Sequence, residues 1–184
     1  MTDEELVALV QKGNKEIFGQ IMDRYTEKLS RYGRRFLSSP DHIEDIVQDV
    51  FIKTYQNIQS FDVTRKFSSW IYRIAHNALV NALRAKVTEP IPYFDFDTFI
   101  SHPIHEESVE DLKEAEEMRV LLEKGIQELA PLYREVLTLY YFENMDYQAI
   151  SDILEIPIGT VGIRLSRAKA MLRKHVAAHI NIHT

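Results

Sequence analysis

The chain has no cysteine, which excludes disulfides and thiolate metal sites. It has six glycines and no Gly-rich loop of the kind that cradles phosphates. No apolar run approaches the length of a membrane span. The N-terminal MTDEELVALVQKG is acidic and amphipathic, unlike a secretory signal, so a cytoplasmic protein is expected. No nucleophile–base pair or metal triad stands out, and an enzyme is not expected. Cations are missing from Val87 to Asp111, where Glu89, Asp95, Asp97, Glu106, Glu107, Glu110 and Asp111 gather. Conversely, acidic residues are missing from the last helical stretch, although the net charge of the 184 residues is −6. A low overall charge therefore says little about the locally presented field.

What is present is helical periodicity. From Asp146 to Lys174, Ala149, Ile150, Ile153 and Leu154 give a first helix one apolar face. Pro157 breaks the pattern, Gly159 is expected to supply the turn, and Thr160 to cap a second helix. That helix carries Val161, Leu165, Ala168, Met171 and Leu172 on its back and Arg164, Arg167, Lys169, Arg173 and Lys174 on its front. An apolar back and an all-basic front, entered through a turn, describe a helix-turn-helix that fits a DNA major groove. An ordinary helical hairpin explains the apolar spacing but not the single sign of charge.

Earlier in the chain, Thr2 is expected to cap a helix over about 3–12, with Leu6, Leu9 and Val10 as its stripe and Gly13-Asn14 as its end. Ile17, Ile21, Tyr25, Leu29 and Tyr32 mark a second helix. Asp41 and Glu44 suggest a capping box for a third. This third helix turns Ile43, Ile46, Val47, Val50, Phe51, Tyr55 and Ile58 inward, with Glu44, Asp45, Gln48 and Asp49 as an outer ridge. A fourth helix, about 68–86, interleaves aromatic and basic residues, a pattern suited to single-stranded nucleic acid. Trp70, the only tryptophan, fits equally as core. The acidic stretch that follows holds three of the six prolines and reads as an extended connector. His102 and His105 within it, and His175, His179 and His183 near the C-terminus, are read as solvated residues and not as a metal site.

The runs Ile43–Phe51, Phe67–Asn77, Leu129–Leu139 and Ile156–Leu172 resemble, in this order, the motifs of the sigma-70 family, and the two-part layout is similar to its extracytoplasmic-function group. The resemblance implies an all-α fold of two small helical domains, 1–86 and 112–184, joined by an acidic linker, 87–111. The C-terminal domain is then a four-helix domain containing the helix-turn-helix. It implies a factor that binds bacterial core RNA polymerase and directs promoter recognition, −10 melting and initiation, with no cofactor. Polymerase contacts fall to Glu44, Asp45, Gln48 and Asp49, and contacts with the melted −10 strand to Arg65, Lys66, Phe67, Ser68, Trp70, Arg73 and Asn77. The −35 duplex is read by Thr160, Arg164, Ser166 and Arg167, with Lys169, Arg173 and Lys174 on phosphates. An anti-sigma factor is a further partner the group suggests. One departure stands out: Gly162 and Ile163 follow the GTV turn, where relatives commonly carry a basic and a small polar residue. The alternative is a stand-alone helix-turn-helix regulator, which has no use for the N-terminal ridge or the aromatic-basic helix.

Overall fold

The computed structural model describes residues 1–85 and 109–180, and side chains over 1–84 and 118–179. The described residues are helices and their connections: α1 (Asp3–Gln11), α2 (Phe18–Gly33), α3 (Pro40–Asn57), α4 (Phe67–Ala85), α5 (Val109–Glu128), α6 (Pro131–Leu137), α7 (Tyr147–Leu154) and α8 (Ile158–Ile180). Short 3₁₀ turns, Lys15–Ile17 and Ile58–Ser60, lie before α2 and after α3, and a π-turn, Thr138–Phe142, continues α6. Residues 86–108, with Lys86, His102 and His105, and likewise His183, lie outside the described residues, whereas Val109, Glu110 and Asp111, expected in the linker, open α5. Two units form, one from 1–85 with Asp146–Ile156, the other from 109–145 with 157–180.

In the first unit, α1 opens with a capping box: Glu5 N–H donates to Thr2 Oγ1 at 3.2 Å, and Thr2 N–H to Glu5 Oε2 at 2.8 Å. Its buried stripe is Leu6, Val7 and Val10, with Leu9 at the edge, and Gly13 ends it at φ +101°. The α3 helix starts two residues earlier than the expected box. Ser39 is the cap, accepting from His42 N–H, because Pro40 fits the first helical position, where no N–H is needed. Ile43, Val47, Val50 and Phe51 point inward as read, joined by Thr54. Tyr55 does not: it lies one step round the helix, 37% exposed, edge-on to Phe18. Gly33 admits α3 closely, since a Cβ there would stand 2.8 Å from Ile43 Cγ2. Helix α7, capped by Asp146 accepting from Ala149 N–H at 2.8 Å, packs on α4.

In the second unit, Ile126, Leu129, Leu137 and Ala168 form the centre, with Leu122, Tyr133, Phe142 and Leu172 around them. Arg134 is buried and donates to the carbonyls of Gln127 and Leu129 at 2.6 and 2.9 Å, closing the end of α5. The turn before α8 differs from the expectation. Glu155, at φ 54°, is the left-handed residue that ends α7, and Gly159 and Thr160 already lie inside α8. The cap position is Pro157, whose carbonyl accepts from Thr160 N–H at 2.8 Å and Val161 N–H at 3.3 Å. Proline can stand there because its missing N–H is not required before the first turn.

Candidate nucleic-acid interface

The outer ridge of α3 is built by the burial of its other side. With Ile43, Val47 and Val50 inward, Glu44, Asp45, Gln48 and Asp49 are all exposed, at spacings of three and four residues that stack them on one face. Ile52, 54% exposed, extends the same face by one turn. The ridge is therefore acidic at one end and apolar at the other.

The loop and helix that follow bring most of the expected −10 residues to one cleft of about 660 Å³, lined among others by Phe61, Arg65, Lys66, Trp70, Arg73 and Asp152. An Asx turn shapes the loop: Thr64 donates its N–H and Oγ1–H to Asp62 Oδ1 at 3.0 and 2.7 Å. Those bonds hold the Asp62 carboxyl below its usual range. Phe61, Phe67 and Trp70 form an aromatic cluster with centroids 5.0 to 5.8 Å apart. Phe67 is fully buried, packed edge-on to Tyr25, so its ring supports Trp70 and presents no face to a base. Trp70, Ser68 and Arg73 are half-buried, and Arg65, Lys66 and Asn77 are exposed; of the expected residues Phe67, Ser68 and Asn77 lie outside the lining of the cleft, and Ser69 lines it in place of Ser68.

Acidic residues meet the cations of this cleft. Lys66 Nζ lies 2.5 Å from Asp146 Oδ2, and Arg73 3.9 Å from Glu155. The hydrogen bond from Lys66 lowers the Asp146 carboxyl and raises the Lys66 ammonium. Sequence reasoning missed these partners because the pairing spans eighty residues and no local pattern announces it. It also missed Glu4 and Gln11 of α1. Glu4 accepts from the N–H of Phe67, and Gln11 donates to the carbonyls of Ile58 and Phe61.

On α8, Val161, Leu165 and Ala168 are buried. This turns Ser166, Arg167, Arg173 and Lys174 to solvent and leaves Thr160, Arg164 and Lys169 half-buried. Glu135 of α6 stands near Arg164: burial raises its carboxyl, and the charges of Arg164 and Arg134 oppose that rise. Gly162 is half-buried and Ile163 is 55% exposed, so an apolar side chain stands among the cations. Among the described residues no group of three His, Asp or Glu side chains is arranged to hold a metal. His175 instead pairs with Glu128 at 3.0 Å and stacks on His179. No helix among the described residues is long and apolar enough to cross a membrane.

Two family models match the chain: Sigma-70 region 2 over residues 21–88, and Sigma-70, region 4 over 119–172. The ECF RNA polymerase sigma factor SigW of Bacillus subtilis is 34% identical over 184 aligned residues, covering 96% of this chain and 97% of that protein. The ECF RNA polymerase sigma-E factor of Escherichia coli K12 is 33% identical over 189 residues, covering 96% and 95%. Among solved structures, CnrH in complex with the cytosolic domain of CnrY superposes with a TM-score of 0.69 at 25% identity, covering 96% of this chain and 97% of that one. RpoE bound to the anti-sigma factor NepR, from Bartonella quintana, superposes at 0.64 over 87% of this chain and 96% of that one, at 22% identity, a likeness of fold.

Proposed function

This chain belongs to the extracytoplasmic-function group of the sigma-70 family, and from that premise we propose that it binds bacterial core RNA polymerase and directs it to promoters. The observation that carries the reading is the presence of regions 2 and 4 in one chain, in that order. A stand-alone regulator needs only the second of these.

The α3 ridge, Glu44, Asp45, Gln48 and Asp49, docks on a basic surface of the polymerase. Its charges speed encounter and fix register more than they add affinity. Arg65, Lys66 and Arg73 neutralise phosphates of the melted −10 strand, bases stack against Trp70, and Ser68 and Asn77 contact base edges. Phe67 holds the Trp70 ring from beneath. On α8, Arg167 reads a guanine edge with Thr160, Arg164 and Ser166 beside it, while Lys169, Arg173 and Lys174 meet phosphates. Residues 1–86 thus serve the polymerase and the −10 element, 87–111 connect, and 112–184 serve the −35 element. The protein acts in the cytoplasm and supplies binding free energy, while the polymerase supplies the chemistry. An anti-sigma factor is the further partner that the family suggests, and these faces are the ones it would cover.

Run-off transcription from a randomised promoter library, with core polymerase and with or without the protein, tests this. Protein-dependent transcripts that share two upstream sequence blocks are expected. Their absence, with a polymerase that responds to another sigma factor, would favour the stand-alone regulator.

A further inference from the structure

We propose that α1 is a bracket for the −10-reading segment, and that Glu4 and Gln11 are positioning residues for promoter opening. The inference rests on the function proposed above. The segment 62–66, which carries Arg65 and Lys66, lies between the 3₁₀ turn and α4 and has no helix of its own. Both of its ends are held from α1. At the upstream end, the Gln11 amide donates to the carbonyl of Ile58 at 2.7 Å and to that of Phe61 at 2.8 Å. The main-chain carbonyl of Gln11 in turn accepts from Gln59 Nε2 at 3.3 Å. At the downstream end, Glu4 Oε1 accepts from Phe67 N–H at 3.0 Å. Phe67 is the first residue of α4, so this carboxylate satisfies a donor that the helix itself leaves unpaired and meets the positive end of its dipole.

Glu4 and Gln11 are seven residues apart, about two helical turns, and so lie on one face of α1. Val7, between them, is fully buried. The helix is itself fixed to α2, since Asp3 accepts from Arg24 at 2.8 Å and from Tyr25 Oη at 2.6 Å. A continuous path of bonds therefore runs from α2 through α1 to both ends of the loop. Neither Glu4 nor Gln11 falls within residues 21–88, the span matched to region 2.

The residue types fit the task. Glutamine offers two N–H groups on one neutral nitrogen, and two carbonyls are waiting for them. Glutamate has the same shape but would aim lone pairs at both carbonyl oxygens. At position 4 the bond needs only an acceptor, so glutamine keeps the hydrogen bond to Phe67 and gives up only the weaker charge–dipole attraction.

The test uses the full chain with core polymerase, at a promoter the wild-type protein selects. Gln11→Glu and Glu4→Ala are compared with Glu4→Gln by core affinity, run-off yield and −10 base preference. For the first two, run-off should fall about tenfold, as expected on losing one or two hydrogen bonds to backbone groups. Their −10 preference should loosen while core affinity stays within about twofold, and Glu4→Gln should stay within about threefold of wild-type run-off with its −10 preference kept. Run-off and base preference unchanged in both variants would overturn the proposal. So would a loss tracked by an equal loss of core affinity, which is what general unfolding produces. A wild-type protein that directs no transcript overturns the function itself and this inference with it; variants that equal a working wild type overturn this inference alone.

Discussion

Tyr32 Oη lies 3.0 Å from Nδ1 of His76, joining α2 to α4 inside the first unit. The Tyr32 ring is fully buried, and the Phe36 ring meets His76 edge-on. Burial pushes the His76 imidazole down to about 4, against a smaller opposing pull from Glu155. A neutral ring with its proton on Nε2 lets Tyr32 donate to Nδ1. The fold binds this proton less readily than the unfolded chain does. Stability is therefore full above the ordinary histidine pKa of about 6.5 and falls as pH drops from there toward 4, by on the order of 3 kcal/mol at most. Denaturant melts at pH 8, 6 and 4.5 should show this decline, and His76→Phe should flatten it.

Asp146 has two tasks, and they can be separated. It caps α7 and it pairs with Lys66 at an exposed site, where ion pairs contribute little. Asp146→Ala should cost about 1 kcal/mol in thermal melts through the lost cap, whereas Asp146→Asn, which keeps an acceptor, should stay within a few tenths.

Reversing Asp45 and Asp49 to Lys places cations on an exposed ridge and disturbs no buried neighbour. Core polymerase affinity should fall about 10- to 100-fold, with an unchanged thermal midpoint. Unchanged affinity in a pull-down titration would move the docking surface elsewhere.

The proposed function puts three cations, Lys169, Arg173 and Lys174, on phosphates, so the affinity of the protein for a −35 duplex should fall with log salt at a slope of about −3. Lys174→Ala should reduce that slope by about one at every sequence. Arg167→Ala should cost about 1–3 kcal/mol and relax the preference at one base pair. Fluorescence anisotropy across salt concentrations distinguishes the two.

The helices were legible because their signals are local. Thr2 and Glu5 stand three residues apart, and Val47, Val50 and Phe51 repeat at helical spacing. The α3 ridge followed, since fixing the inward face fixes the outward one. Turn chemistry was less legible. Gly159 reads as the natural left-handed residue, yet Glu155 adopts that conformation. The strain there is on the order of 1–2 kcal/mol, an amount that surrounding structure can offset. The bonds of Glu4 and Gln11 to the loop were not legible at all. They join positions 47 to 63 residues apart, and a polar residue on α1 reads as solvated until α4 is placed beside it.

The placement of Trp70 has a practical consequence. The chain has one tryptophan, half-buried against Phe61 and Phe67 in the lining of the cleft beside α4. Its indole emission is thus an unlabelled optical reporter of that single location. A base that stacks on it should quench it, and a loop released from α1 should shift its wavelength. Binding and loop geometry can then be followed in the natural sequence, without attaching a dye to the surface being measured.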